Sequence, residues 1–294
     1  MKSVEAAQAG LRVRGLAKTY KNGVKAMQGI DLEVESGMYG LLGPNGAGKS
    51  TLMRTLATLQ RPDSGHFSFD GTDGISDADG LRSTLGYLPQ QIGAYPGVSG
   101  RSLLDRFAWL KGNTERSTRD AEVAHLLERV NLVEAADRKV STYSGGMLRR
   151  FGIALALLGR PRFLIVDEPT AGLDPAERNR FYEVLADVST DAVVLLSTHI
   201  VEDVETLCER LSILAAGAII AEGKPAELCA ELEGTLWSRI VPRGEALPEG
   251  FVHSKAAPTG TRVIMRAETS PGDEWQTHEP RLEDVYHLAL VGHA

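Results

Sequence analysis

Gly43-Pro44-Asn45-Gly46-Ala47-Gly48-Lys49-Ser50-Thr51 decides how the rest of the chain is read. It fits the phosphate-binding pattern G-x-x-x-x-G-K-[ST], from Gly43 through Gly48-Lys49-Ser50. Met38–Leu42 before it is short and mostly apolar, as a buried strand is. Ser50–Gln60 after it carries Leu52, Leu56 and Leu59 at the spacing of one helical face. The order predicted is strand, glycine loop, helix. Glycines let the backbone curl until its N–H groups converge on an anion, and the new helix adds its positive end. In that frame Lys49 reaches the β- and γ-phosphates of a nucleotide and the Ser50 hydroxyl binds Mg²⁺. The pattern says neither which nucleotide is bound nor what work it drives.

Further along, Phe163-Leu164-Ile165-Val166 reads as a strand buried on both faces and runs straight into Asp167-Glu168. Open α/β sheets bind ligands at that end of a strand. Asp167 is placed to hold Mg²⁺, and Glu168 to orient or deprotonate an attacking water. Two acids on a buried strand are costly unless cations meet them. Tyr143-Ser144-Gly145-Gly146-Met147 precedes a helix expected from Leu148 to about Gly159, with Ser144 as its N-cap. Such an end is either an anion site or simply a capped helix. Three single residues read both ways. Tyr20 can stack on a purine or pack on the sheet edge; Gln90 can approach a metal or sit solvated in a loop; His199 can meet a γ-phosphate or serve structure. Taken singly, each favours the plainer role.

The chain has 294 residues, 43% hydrophobic and 24% charged, with net charge −7 and pI about 5.6, the values of an ordinary globular protein. It has no Lys/Arg-rich block and no basic stripe with interleaved aromatics, so a nucleic-acid partner is not expected. Cys208 and Cys229 fall in stretches read as helical, without metal-ligand spacing, and are expected to be reduced packing residues. Met1–Leu11 lacks the pattern of a signal peptide. The longest apolar region, Leu211–Ala221, is interrupted by Ser212 and Gly217 and falls short of the ~20 residues that cross a bilayer.

Strands are expected at Leu11–Leu16, Gly29–Val34, His66–Phe69, Leu85–Leu88 and Ala192–Ser197, with a hairpin at Asp70-Gly71. Helical spacing covers Asp77–Ser83, Ser102–Leu110, Arg119–Val130, Ala176–Val188, Val201–Leu211 and Pro225–Leu232. Ser212–Leu214 and Ala218–Ala221 read as edge strands. Gly93–Gly100 reads as a mobile loop whose Tyr95 and Val98 have no evident core to join. After Gly234 the composition shifts to short strands, at Leu236–Val241, Phe251–Ser254 and Arg262–Arg266, and a closing helix, Arg281–Val291.

Together, and in this order, the pieces from Leu11 to Leu232 resemble the nucleotide-binding subunit of an ABC (ATP-binding cassette) transporter. Gly43–Thr51 resembles the Walker A loop, Phe163–Glu168 the Walker B strand with its following acid, and Tyr143–Met147 the signature motif that sets this family apart. Gln90 matches the glutamine loop, Ala171–Asp174 the D-loop, His199 the switch histidine and Tyr20 the aromatic that stacks on adenine. Tyr143 stands where leucine is commonest and Met147 where glutamine is frequent, but the Ser-Gly-Gly core is intact. Tyr-Ser-Gly-Gly-Met followed by Arg149-Arg150, and the ending Arg281–Tyr286, look most like bacterial subunits that serve a separate permease, often an exporter.

The resemblance implies an α/β fold: a P-loop NTPase core with an antiparallel β-subdomain and a helical subdomain, plus a small C-terminal α+β appendage. The cassette would span residues 1–232, with the helical subdomain at about 91–160, and the appendage 233–294, for dimerisation or regulation. It implies catalytic roles for Glu168, His199, Gln90 and Lys49, and Mg²⁺ ligation by Ser50, Gln90 and Asp167. ATP would be bound by Tyr20, Gly43, Asn45, Gly46, Gly48, Lys49, Ser50 and Thr51, with Ser144, Gly145, Gly146 and Asp174 as further contacts. The partners implied are a transmembrane permease and a second ATP-binding subunit, as a homodimer, with the chain cytoplasmic and peripheral on the inner face of the cell membrane. The rivals are an importer subunit, an ABC-type ATPase acting on DNA or ribosomes, and a nucleotide-switched binding module. The loop Gly93–Gly100 and the helix after it are the candidate docking surface for the permease.

Overall fold

The structure, a computed structural model, describes residues 10–93, 95–170 and 173–293. Its centre is a six-stranded sheet in the order β10-β9-β3-β8-β7-β6. The strands are β3 (Met38–Leu42), β6 (Leu85–Leu88), β7 (Phe163–Asp167), β8 (Val193–Thr198), β9 (Arg210–Ala215) and β10 (Ala218–Gly223). All neighbours are parallel except β9 and β10. Every residue of β3, β7 and β8 is buried, which is why these segments read as unbroken apolar runs instead of alternating ones.

An antiparallel sheet, β2-β1-β4-β5, lies beside it, from β1 (Leu11–Thr19), β2 (Lys25–Val34), β4 (Ser64–Phe69) and β5 (Thr72–Asp73). The β4–β5 hairpin turns through Asp70 at φ 47° and Gly71 at φ 80°, the left-handed pair that a two-residue turn requires. Helix α1 (Lys49–Leu56) follows β3, and α2 (Ala78–Thr84) precedes β6. Between β6 and β7 the chain makes α3 (Gly100–Leu110), α4 (Arg116–Arg129) and α5 (Gly145–Leu157). Helices α6 (Pro175–Ser189), α7 (Val201–Leu207) and α8 (Pro225–Ala230) complete this part. A third sheet, β12-β13-β11-β14, is built from β11 (Leu236–Pro242), β12 (His253–Ala257), β13 (Gly260–Arg266) and β14 (Gln276–Thr277), followed by α9 (Leu282–Val291). Leu236, Ile264, Leu282 and Val285 share one buried cluster with Leu211, Ile213 and Leu228, so the core runs without a break from cassette to C-terminal part.

Four expectations change. Helix α1 stops at Leu56, because Thr58 turns left-handed at φ 59°, and Leu59 is 58% exposed instead of lying on the apolar face. Helix α7 ends at Leu207, not Leu211: Arg210–Ile213 must be extended to pair in parallel with Tyr39–Leu42 of β3. Strand β9 is consequently an interior strand, and of the two strands expected at the edge only β10 lies there. Tyr95 and Val98 are partly buried against the main core, with Tyr95 edge-on to Phe107 at 6.1 Å between ring centroids, so they anchor their loop instead of standing free.

Candidate functional site

The residues singled out in the sequence hang from the C-terminal ends of adjacent parallel strands. Gly43 follows β3, Asp167 ends β7 with Glu168 directly after it, His199 follows β8 and Gln90 lies two residues past β6. This is the edge at which an open α/β sheet receives its ligand.

The glycine loop is cut to fit the backbone around it. Gly48 has φ 108°, and a Cβ there would lie 2.1 Å from the Ala26 carbonyl oxygen of β2. A Cβ on Gly43 would lie 2.3 Å from the Leu214 carbonyl oxygen of β9. Gly46, at φ 83°, and Asn45 are exposed at the loop's tip. Helix α1 begins at Gly48 without a side-chain cap, whereas α5 is capped by Ser144 and α6 by Asp174. Its first N–H groups thus have no side-chain acceptor, as an anion site at a helix start requires.

Lys49 is only 4% exposed. Its Nζ donates to the carbonyls of Gly43 at 2.7 Å and Pro44 at 3.1 Å, and lies 3.6 Å from Oε1 of Glu168. Burial pulls the Lys49 ammonium below its ordinary pKa, with the charges of Glu168 and Asp167 opposing. The buried acids are therefore met by a cation, as their position demanded. His199 brings Nδ1 to 3.4 Å from the same Oε1, and Gln90 donates its side-chain N–H to Oε2 of Glu168 at 3.0 Å. Glu168 is left-handed at φ 48°, an uncommon state for a residue with a Cβ, and its N–H donates to the Ser197 carbonyl of β8 at 2.9 Å.

The donor set fits Mg²⁺. The Ser50 hydroxyl donates to Oδ1 of Asp167 at 3.4 Å, and Ser197 donates its hydroxyl to the same oxygen. The Gln90 amide oxygen accepts no hydrogen bond among the described residues. These are hard oxygen donors, and one or two carboxylates suffice for Mg²⁺ when phosphate oxygens and water supply the rest. No group of three or more His, Cys, Asp or Glu among the described residues forms a cage for another metal.

Tyr20, 39% exposed in the β1–β2 turn, leans on the glycine loop, its hydroxyl 3.2 Å from Thr51 Oγ1 and donating to Gln60 at 3.3 Å. Ser144 and Gly145 are exposed at the start of α5, where Ser144 Oγ accepts the Met147 N–H at 3.2 Å. Gly146 faces Glu177: a Cβ there would lie 1.9 Å from a Glu177 carboxylate oxygen, so this helix end has a neighbour in its own chain. Asp174 accepts the Glu177 N–H at 2.8 Å as cap of α6, and among the described residues nothing bonds it to the glycine loop. Ala171 and Gly172 of the same stretch lie outside the described residues. Cys208 is buried, its thiol pushed above its ordinary pKa first by burial and then by the charge of Asp203, which suits an inert packing residue.

Two groups carry no motif and yet build the site. Asp203 is fully buried and accepts from the hydroxyls of Thr170 at 2.5 Å, Thr198 at 2.9 Å and Tyr182 at 2.5 Å, and from Arg178 at 2.5 Å. It thereby joins the segment after Glu168, the residue before His199 and helix α6. Arg149 of α5 is 8% exposed and donates only to backbone carbonyls beside Gln90 and Glu168. An acid four residues past His199 and an arginine five past Ser144 were the only signals available beforehand.

A family model described as "ABC transporter" matches residues 27–171. The chain is 40% identical over 224 residues to the daunorubicin/doxorubicin resistance ATP-binding protein DrrA of Streptomyces peucetius, covering 76% of this chain and 67% of that one. It is 37% identical over 272 residues to the doxorubicin resistance ATP-binding protein DrrA of Mycobacterium tuberculosis, covering 87% and 81%. A solved ATP-binding subunit of an ABC transporter superposes with a TM-score of 0.69 at 26% identity, over 76% of this chain and 93% of that one. Identity sustained over most of both chains reaches well past any single motif, and the chain belongs to the ABC transporter family as an ATP-binding ATPase subunit.

Proposed function

We propose that the chain hydrolyses ATP in a head-to-tail pair of subunits and that the cycle drives export through a separate transmembrane permease. The observation that carries this reading is the convergence of Lys49, Gln90 and His199 on the carboxylate of Glu168, while Ser144 stands exposed at the start of another helix. These contacts hold the carboxylate in place, and it would be freed to take a proton from an attacking water once Lys49 and His199 turn to the phosphates. Lys49 would leave its carbonyl acceptors for the β- and γ-phosphate oxygens, and His199 would donate to the γ-phosphate as charge moves onto it. Tyr20 would stack on the base. Ser50, Asp167 and Gln90 would hold Mg²⁺, which would supply charge neutralisation for the phosphates.

Ser144, Gly145 and Gly146 would complete the site of the second subunit, with Glu177 withdrawing as the anion arrives, and Asp174 would line the same interface. The names of the relatives, resistance ATP-binding proteins, support export over import. No helix among the described residues is long and apolar enough to cross a membrane. That the relatives are named as ATP-binding proteins supports a permease on a separate chain, with this subunit at the inner membrane face. Residues 233–294 are proposed as a C-terminal α+β domain that supports dimerisation or regulation.

The test is capture of the full chain from membranes with whatever integral membrane protein it binds, followed by reconstitution of both into vesicles. ATP-dependent movement of a dye from one side to the other supports export. Hydrolysis that neither needs nor responds to any membrane protein removes the transport role.

A further inference from the structure

A charged group buried in protein ordinarily finds an opposite charge. Arg149 makes no ion pair among the described residues: its guanidinium donates to four carbonyl oxygens and to no carboxylate, and the charges of Asp167 and Glu168 reach it only through space. Nε donates to Pro169 at 2.7 Å, one terminal nitrogen to Gln90 at 2.7 Å and Pro89 at 3.2 Å, and the other to Glu168. Two of these carbonyls belong to the residues whose side chains meet in the site, since Gln90 donates to Glu168 Oε2. One rigid planar fork therefore sets the distance between two backbone segments, one leaving β6 and the other leaving β7. Its neighbour Arg150 points the other way, donating to the carbonyls of Val130 and Asn131, and takes no part.

The location of the fork gives it a second meaning. Arg149 lies on the same helix as Ser144, slightly more than one turn beyond it. A helix moves as a unit, so any shift of α5 is delivered to the carbonyls of Gln90 and Glu168. Glu168 already sits in a left-handed backbone state that its surroundings must maintain, and the bond from Arg149 to its carbonyl is one of the contacts that do so.

We propose that Arg149 is a positioning residue that couples the helix presenting Ser144 to the Gln90–Glu168 pair of the same chain, so that engagement of one nucleotide by α5 sets the hydrolytic geometry at the other. This rests on the dimeric ATPase reading above. Arg149 touches neither nucleotide nor water; it acts through the backbones it holds.

Arg149→Lys keeps the charge but replaces a planar fork with a point donor. Turnover of Mg-ATP by the full-length chain is expected to fall roughly tenfold to a hundredfold, the loss that follows a misplacement of about 1 Å. ATP affinity, read by a fluorescent ATP analogue, should stay at the wild-type value and report that the variant is folded. If Arg149→Lys fails that check, Arg149→Gln, which keeps one amide donor, is read in the same way. The same change is then made in a Gln90→Ala background, where most of its effect should vanish because one of the two groups it positions is gone. Wild-type turnover in the single variant overturns the coupling, as does an equal fold-loss in both backgrounds, or loss of ATP affinity in step with turnover in both Arg149→Lys and Arg149→Gln. A wild-type chain that binds the analogue but hydrolyses no ATP overturns the proposed function itself, a result distinct from the others.

Discussion

His199 brings Nδ1 to 3.4 Å from Oε1 of Glu168, the same oxygen that Lys49 approaches to 3.6 Å. The second oxygen of the carboxylate is taken by Gln90. Each donor comes from a different strand end, so the carboxylate is where the separate motifs meet.

Glu168→Gln keeps the size of the side chain and removes its capacity to take a proton. Turnover should fall by at least about a hundredfold, within the range general-base loss produces. ATP binding should persist, and size-exclusion chromatography with Mg-ATP should show a trapped dimer. Turnover at the wild-type rate would remove Glu168 from its role.

Ser144→Arg places a long cation at the start of α5 without touching the glycine loop. A monomer should bind ATP as before, while the closed dimer should not form in a Glu168→Gln background. Dimerisation that survives the change would contradict the sandwich.

Asp203→Ala leaves Arg178, Thr170 and Thr198 without their shared acceptor in a fully buried position. Urea unfolding should report a loss of about 3–5 kcal/mol, the usual result of breaking a buried pair from one side. Asp203→Asn keeps acceptor capacity for the hydroxyls and should lose less.

The C-terminal part carries a pH dependence of its own. Asp284, 1% exposed, is held between His253 Nε2 at 2.6 Å and His278 Nε2 at 3.0 Å, and His287 stacks on His253 with 4.6 Å between ring centroids. Burial, then the neighbouring His253, pull the His287 pKa down, against the charges of Glu283 and Asp284. A group with a lowered folded pKa gives stability that is complete above its unfolded value and is lost as pH falls toward the folded one. The loss should therefore begin below about pH 6.5, the ordinary imidazole value. Denaturant midpoints between pH 7.5 and 5.5 should fall for the wild type and fall less for His287→Gln. Equal slopes would show that His287 is not responsible.

What could be read beforehand was what lies close together along the chain. The glycine loop, the acids after β7 and the cap of α5 each state their chemistry within a few residues, and the unbroken apolar runs of β3, β7 and β8 announce a buried parallel sheet. Arg149 could not be read this way, because all its acceptors are backbone carbonyls, which every residue type supplies. Asp203 gathers hydroxyls from segments far apart in sequence. The ends of α1 and α7 were set from outside as well. A left-handed Thr58 stops the first, and the pairing of β9 with β3 overrides helical spacing in the second. Tyr95 and Val98 found a core that their own loop does not show.

The order of the central sheet also sorts the site by how firmly each part is held. Lys49 follows β3, which is hydrogen-bonded to a neighbour on both sides, whereas Gln90 follows β6, a four-residue strand at the margin with β7 alone beside it. Short marginal strands open locally at lower free energy than central ones. Amide deuterium uptake along Leu85–Leu88 should accordingly outrun that along Met38–Leu42. On the proposed mechanism the phosphate grip would then belong to the stationary side of the enzyme and the glutamine to its yielding side, so a closing motion would arm the water without loosening the nucleotide.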